Sequence, residues 1–178
     1  NYIHPIALLA FLLLNCVPFS QYVEHLVDER PSTVDAPWIL LLYSDEVTPG
    51  NQLSTNNERK IQAVYFSFLE FGHRLSDEDF WFTFSAKRSA TVKSISGGMS
   101  KLFGCLLKLF FVKEAFELSG CAFTLASGRR IRMYAKLGFF VQDGGAHKVT
   151  WHTKGDQGVK CCLLCRNVFF EHFRARRC

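Results

Sequence analysis

An uninterrupted apolar run, from Trp38 to Tyr43, constrains the fold of this chain more than any other feature. Six consecutive apolar residues without alternation are typical of a strand that is buried on both faces. Such a strand needs another layer of structure on each side, because both of its faces must be removed from water. The run therefore predicts a layered α/β domain, and 178 residues are enough for one such domain with a core.

The segments on either side of this run predict the remaining elements. Proline spacing and apolar content predict a helix over residues 5–29 that is broken near Pro18. Leucines and phenylalanines at helical spacing predict a long amphipathic helix over residues 94–118. Short segments that are rich in aromatic and β-branched residues predict four further strands. These strands are expected at residues 62–71, 80–84, 122–126 and 131–141.

The predicted order of strand-strand-strand-helix-strand is that of a ribonuclease H-like mixed sheet. We therefore expect three parts along the chain. Residues 1–37 form an N-terminal helical segment and loop, residues 38–143 form an incomplete ribonuclease H-like core, and residues 144–178 form a Cys/His-rich metal-binding loop with a basic tail.

Composition limits the compartment and the partners only weakly. The formal charge of +5 is compatible with nucleic acid, although many proteins have a charge of this size for other reasons. Seven cysteines, an odd number with three close together, favour an intracellular, reducing compartment over a disulfide framework. The apolar run Ile6–Leu14 is short for a membrane span and follows no Lys or Arg, so a buried helix is favoured over a targeting segment. No membrane association is expected.

Two acids follow predicted strands. Asp45 comes just after the first strand and Asp143 just after the last. In a ribonuclease H-like sheet these two strands are neighbours, so the carboxylates would converge on one site. Oxygen ligands of this kind suit Mg²⁺ or Mn²⁺, and such ions can catalyse an in-line phosphoryl displacement.

A simpler interpretation of the same acids is also open. An Asp after a strand is commonly a turn former or a helix cap, and from spacing alone this is the more frequent case. A complete site also needs a third acid. Glu46 and Glu70 are compatible with solvated surface positions, and Glu171 is the one late candidate, close to the cysteines.

The most specific local pattern is a cluster of cysteines and histidines. Cys162 and Cys165 form a C-x-x-C pair, and His147 and His152 are the candidates for the remaining ligands of a closed tetrahedral zinc site. Such a structural zinc would stabilise a segment that has little apolar content. Unligated cysteines, a redox pair, or Cys161 in place of Cys162 are the alternatives.

Two regions resemble a known group of proteins. Tyr43-Ser44-Asp45-Glu46, with the apolar strand Gln62–Phe68, resembles the first-acid region of the Plavaka and Kyakuja–Dileera–Zisupton transposases. Lys136–Asp143, followed by the C-x-x-C pair, resembles their second-acid region. The span from Tyr43 to Asn167 is also similar to an uncharacterised transposon-derived family that carries the motifs Y-x-D-E-x-x-P-G-N, Q-D-G-G-A-H-K and K-G-D-x-G-x-K-x-C-x-L-C-x-N.

The resemblance implies a DDE-type transposase ancestry. It implies a ribonuclease H-like core, Asp45 and Asp143 as the first two metal-binding acids, a zinc-like insertion after the second acid, and a nuclear location. The third acid of the group would lie in a later helix, so we expect a truncated or degenerate domain.

Three functions remain open at this point. The first is metal-dependent phosphoryl transfer on DNA, and the second is an inert domesticated fragment. The third is a zinc-stabilised module that binds nucleic acid through basic side chains, in a salt-dependent way. The candidate basic residues are Lys148, Lys154, Lys160, Arg166, Arg174, Arg176 and Arg177. No small-molecule substrate is indicated, because the sequence has no phosphate-binding glycine loop after a strand.

Overall fold

The computed structural model describes residues 3–49 and 59–151. The chain divides into two compact units, each built from segments that are separated in the sequence. The first unit contains Asn1–Tyr43, Ala63–Ala86 and Cys105–Val141. The second unit contains Ser44–Gln62, Lys87–Gly104 and Gln142–Cys178.

A four-stranded sheet has the order β3-β2-β1-β6, and β4 and β5 form a separate two-stranded sheet. This confirms the predicted α/β class with a mixed sheet. The strands are β1 (Trp38–Val47), β2 (Ile61–Phe68), β3 (Phe82–Arg88), β4 (Cys121–Thr124), β5 (Arg130–Met133) and β6 (Ala135–Gln142).

Hydrogen bonds and ion pairs at the strand ends give the directions of β1 and β2. Near the start of β1, the Ile39 N–H donates to both carboxylate oxygens of Glu70, which follows β2. Near the end of β1, Glu46 pairs with Lys60, which precedes β2. The two strands are therefore antiparallel.

The same reversal relates β2 and β3. The Ser89 N–H, just after β3, donates to the Lys60 carbonyl oxygen, just before β2, at 2.8 Å. Toward the other end, the Ser67 hydroxyl in β2 donates to the Phe80 carbonyl oxygen, before β3, at 2.7 Å. β2 and β3 are therefore also antiparallel.

The last strand, β6, runs in the same direction as β1. At the beginning of both strands, the Trp38 N–H donates to the Tyr134 carbonyl oxygen at 2.9 Å. At their ends, the Gln142 side-chain amide donates to the Ser44 hydroxyl at 2.7 Å. The start of β6 thus lies beside the start of β1, and its end beside the end of β1. β6 is therefore parallel to β1, and the sheet is mixed.

The predicted bounds of the last strand are wrong. The single strand expected over residues 131–141 is divided between β5 and β6, and Tyr134 lies at the break. The Ser32 hydroxyl both donates to the Tyr134 carbonyl oxygen and accepts from the Tyr134 N–H, each at 2.7 Å. Because a side chain binds the backbone of Tyr134 in this way, β5 pairs with β4 and β6 pairs with β1.

The long helix expected over residues 94–118 is also shorter and interrupted. The structure has α3 (Ser89–Ser94) and α4 (Gly98–Lys108), followed by a π-helical turn over Leu109–Lys113. Gly97 and Gly98 have positive φ angles between the two helices. This conformation is accessible to glycine and interrupts the helix there.

The N-terminal helix is broken as expected. α1 (Pro5–Asn15) and α2 (Val17–Glu29) meet at Cys16, which has extended backbone angles. α1 buries Leu9 and Leu13. Among the described residues, no single helix is long and apolar enough to cross a membrane, although α1 and α2, bent by 102°, meet the length and composition criteria when taken together.

Phenylalanines form much of the core of the first unit. Phe66 from β2 contacts Phe110 edge-to-face, with ring centroids 5.3 Å apart. Phe110 in turn stacks on Phe116. All three side chains are completely buried. Ring contacts of this kind add to the hydrophobic gain from burial, which accounts for the high phenylalanine content of the chain.

The metal-binding loop was expected to begin at residue 144, and this expectation is wrong for its first part. Gly144–Trp151 form a helix, α5, and His147 lies within it. His152, Cys162 and Cys165 lie outside the described residues, so the zinc site stays a prediction.

Candidate carboxylate site

Asp45 and Asp143 line the same pocket in the second unit. The pocket has a volume of about 290 Å³. Its other lining residues are Glu46, Gln62, Gly145 and Ala146. Residues that are far apart in the sequence are therefore brought together at the adjacent ends of two parallel strands.

Asp45 reaches the pocket because β1 continues beyond its apolar part. The strand ends at Val47, so the acid lies within the last residues of the strand. The Asp45 Oδ1 atom accepts a hydrogen bond from the Glu46 N–H at 2.7 Å, which orients the carboxylate. A group on a strand is held more firmly than a group on a loop, as a ligand or catalytic group requires.

Asp143 lies at the N-terminus of α5. Its Oδ1 atom accepts a hydrogen bond from the Ala146 N–H at 2.6 Å, which is the geometry of a helix cap. The capping interpretation of this residue is therefore correct. The same bond fixes the carboxylate at the pocket.

Gln142 connects the three elements that surround Asp143. Its side-chain amide donates to the Ser44 hydroxyl at 2.7 Å and to the Thr150 hydroxyl at 3.0 Å. Its carbonyl oxygen accepts from the Trp151 indole N–H at 3.0 Å. Ser44 and Thr150 are buried. These bonds attach β1 and the last turn of α5 to the end of β6, and so hold the helix that Asp143 caps.

A second network surrounds Glu46. One carboxylate oxygen, Oε1, pairs with the Lys60 ammonium at 2.7 Å. The other oxygen, Oε2, accepts from the Gln62 amide at 2.6 Å and from the Ser89 hydroxyl at 3.3 Å. The hydrogen bond from Lys60 is the main cause that lowers the pKa of Glu46 below its ordinary value, and Lys93 contributes to the same effect.

Glu46 is thus a member of an organised network, and so are Lys60 and Gln62, which sequence reasoning did not select. The register of the first two predicted strands is the sequence signal that could have identified Lys60 and Gln62. In an antiparallel pair, residues that are opposite each other share a face of the sheet. The polar end of β1 and the polar start of β2 could therefore have been placed together.

Oxygen donors of this kind fit a hard divalent cation, which Mg²⁺ sites in proteins commonly bind through one or two carboxylates together with water and phosphate oxygens. Within residues 3–49 and 59–151, no three His, Cys, Asp or Glu side chains are placed to hold one metal ion. The described part of the site therefore supplies two candidate acids, Asp45 and Asp143, without a third.

The predicted basic residues are mostly outside this part of the chain. Lys148 lies on α5 and is exposed. The others lie outside the described residues, so the basic nucleic-acid surface stays a prediction. They are Lys154, Lys160, Arg166, Arg174, Arg176 and Arg177.

Comparison of the chain with protein-family models, with curated proteins and with solved structures gives no match.

Proposed function

We propose that this chain is a ribonuclease H-like domain related to the DDE-type transposases, and that Asp45 and Asp143 bind Mg²⁺ or Mn²⁺ for phosphoryl transfer on DNA. The observation that carries the proposal is that both acids line one pocket at the ends of neighbouring strands.

The sheet supports the fold assignment. Its first three strands form an antiparallel meander, and β6 lies beside β1 and parallel to it. The sequence analysis expected the first and last strands of a ribonuclease H-like sheet to be neighbours, and the neighbouring β1 and β6 support that expectation. A ligand site at the ends of such strands is held by backbone that cannot move far without breaking the sheet.

Each residue of the site then has a defined task. Asp45 and Asp143 would hold the cation through carboxylate oxygens, and their bonds to the Glu46 and Ala146 N–H groups would orient them. Gln142 would keep α5, and with it Asp143, in position. When bound, the cation would polarise a phosphoryl oxygen and offset the negative charge that develops on it.

Transposase ancestry and present catalytic activity are separate properties of this chain. A fold can persist after its site has lost a catalytic group. Two acids are sufficient to bind a cation in the way that Mg²⁺ is commonly bound, whereas efficient strand transfer in a DDE-type enzyme requires a third acid. We therefore propose cation binding by Asp45 and Asp143 as the property of the described site, and phosphoryl transfer on DNA as its ancestral reaction.

The test is a Mn²⁺ titration of the whole chain, followed by electron paramagnetic resonance, with Asp45→Asn, Asp143→Asn and Asp35→Asn variants. Asp35 is exposed in the first unit and serves as the matched control. We expect each site variant to weaken binding by at least about 10-fold, about 1.4 kcal/mol, and the control to bind like the unmodified chain. Equal binding by all four proteins would refute the proposal. A plasmid-nicking assay on the same proteins then measures activity.

A further inference from the structure

A second, larger pocket is formed entirely by residues of the first unit, apart from the carboxylate site. Its volume is about 510 Å³, which is within the range of roughly 300–1,000 Å³ that is usual for small-molecule pockets. Four aromatic side chains line it, from α2 and from the segment that leads into β3. They are Phe19, Tyr22, Phe80 and Phe82.

The aromatic rings of the pocket meet edge-to-face. The Phe19 ring centroid lies 6.0 Å from that of Phe80 and 5.5 Å from that of Phe82, and the Tyr22 centroid lies 5.1 Å from that of Phe80. Phe19, Tyr22 and Phe80 are only partly buried, so part of each ring is accessible. Because the rings are steeply inclined to one another, a ligand in the pocket meets ring faces as well as ring edges. Ring faces carry partial negative charge and attract cations.

One of these rings already carries a cation. The Arg74 guanidinium lies over the Phe80 ring, 5.8 Å from its centroid. Arg74 also donates a hydrogen bond to the Asp77 carboxylate at 3.1 Å, so an acid of the same segment offsets its charge. The aromatic wall is therefore able to hold a positive charge, and the charge now on it has its own partner.

Asp79 is the other charged residue that lines the pocket. Its side chain is exposed and, within the described part of the chain, forms no hydrogen bond or ion pair. The Tyr22 hydroxyl, in contrast, donates to the Phe71 carbonyl oxygen at 3.1 Å. Arg30 and Glu29, which also act on the pKa of Tyr22, have opposite charges. The Asp79 carboxylate is therefore the acid that is available to a ligand.

We propose that this pocket binds a free small-molecule cation that bears an alkylated ammonium group. The aromatic rings remove its methyl groups from water and attract its charge, and Asp79 supplies an opposite charge. A primary ammonium is strongly hydrated and gains less from such rings. An organic anion would be repelled by Asp79 and would have to compete with Asp77 for Arg74. The inference is independent of the proposed function, because the two pockets share no residue.

Cys16 allows occupancy of the pocket to be measured, because it lines the pocket and has a free thiol. The experiment measures the rate of iodoacetamide alkylation at Cys16 by peptide mass spectrometry, in the whole chain, as choline is added. Cys105 is exposed on α4 and is the internal control. Ligand-observed nuclear magnetic resonance gives the dissociation constants of choline, of its neutral carbon isostere neohexanol, and of the tert-butylacetate anion, which has a similar shape.

We expect choline to slow the alkylation of Cys16 without affecting Cys105, and to bind at least about 5-fold more tightly than neohexanol. Asp79→Asn should weaken choline binding about 3-fold, since it removes the opposite charge at an exposed position. Asp35→Asn is the matched control, an exposed acid of the same unit, and should bind choline like the unmodified chain. Phe80→Leu keeps an apolar side chain and should weaken the binding of choline more than that of neohexanol. Circular dichroism verifies that each variant is folded.

Several results would overturn the inference. They are the absence of choline binding, equal binding of choline and neohexanol, tighter binding of tert-butylacetate, and choline binding that neither protects Cys16 nor depends on Asp79. Protection of Cys16 by a trimethyllysine peptide or by phosphatidylcholine vesicles, without protection by choline, would overturn the assignment to a free small molecule. None of these results affects Mn²⁺ binding by Asp45 and Asp143, so the proposed function is tested separately.

Discussion

Replacement of Gln142 by Leu tests whether the second unit is held together in the way the structure shows. The side chain makes three hydrogen bonds, to Ser44, Thr150 and Trp151, and so joins β1, β6 and α5. Leu has a similar volume and cannot replace any of these bonds. The substitution therefore removes polar contacts with little change in packing.

The expected loss of stability depends on the groups that Gln142→Leu leaves without a hydrogen-bond partner. A net hydrogen bond contributes about 1 kcal/mol, and a buried partner left without one costs about 1–3 kcal/mol. The Ser44 and Thr150 hydroxyls are almost completely buried, whereas the Trp151 indole is partly exposed and can bind water. Because the hydroxyls can rotate toward other acceptors, we take the low end of the range. The free energy of unfolding should fall by about 2–3 kcal/mol.

Urea denaturation measures this change. With a slope of roughly 2 kcal/mol per molar urea, the midpoint should fall by about 1 M. Gln21→Leu is the matched control, because Gln21 is exposed on α2, and its effect should stay within about 0.5 kcal/mol. If Gln142→Leu lowers the free energy of unfolding by less than about 0.5 kcal/mol, the bonds of Gln142 to Thr150 and Trp151 do not hold α5, and Asp143 is not fixed by them.

Three further predictions concern other parts of the molecule. The purified chain should contain one Zn²⁺ by elemental mass spectrometry, which a Cys162→Ser/Cys165→Ser variant loses and a Cys105→Ser variant retains; zinc retained in the double variant would contradict the site. Burial raises the pKa of Glu70 in the folded state above its ordinary value, because it disfavours the ionised carboxylate. The folded chain therefore loses stability as the pH rises from the ordinary pKa of Glu70 through its raised pKa. The stability of Glu70→Gln relative to the unmodified chain should therefore increase from about pH 4 to about pH 7 in urea titrations, and a constant difference would show that Glu70 does not carry this effect. Burial raises the pKa of Cys121 from 9.0 to about 11, so iodoacetamide at about pH 8 should alkylate it about 100-fold more slowly than an ordinary thiol, whereas an equal rate for Cys121 and the exposed Cys105 in peptide mass spectrometry would contradict its burial.

The central strand could be predicted because its signal is local. A continuous apolar run needs no partner to be recognised, and Trp38–Tyr43 does form the first part of β1. The end of the strand could not be predicted from the same signal. Asp45 and Glu46 are polar, and they belong to β1 because pairing with neighbouring strands continues through them.

The break between β5 and β6 depends on a contact that no local pattern contains. Residues 131–141 are apolar enough for one long strand, and the division at Tyr134 results from bonds to Ser32 and Trp38, which are distant in the sequence. A side chain that binds the backbone of a distant residue leaves no periodic signal. Boundaries of this kind therefore follow from tertiary structure alone.

Helix α5 was missed for a related reason. Its sequence begins with Gly144 and Gly145, and glycine disfavours a helix by about 1 kcal/mol per residue relative to alanine. The cap that Asp143 provides, the hydrogen bond that Gln142 donates to Thr150, and the one that Trp151 donates to Gln142 offset this cost. The glycines thus indicated a loop where capping and tertiary contacts produce a helix.

The two interpretations of Asp143, as a helix cap and as a metal ligand, are compatible because a carboxylate has two oxygens. Oδ1 accepts the hydrogen bond from the Ala146 N–H, and among the described residues Oδ2 accepts none. A cation at Oδ2 would face a carboxylate whose orientation the cap has already fixed, so binding would cost little side-chain entropy. The capping role, which in the sequence was the alternative to metal binding, would therefore be the means by which the Asp143 carboxylate is held in place as a ligand.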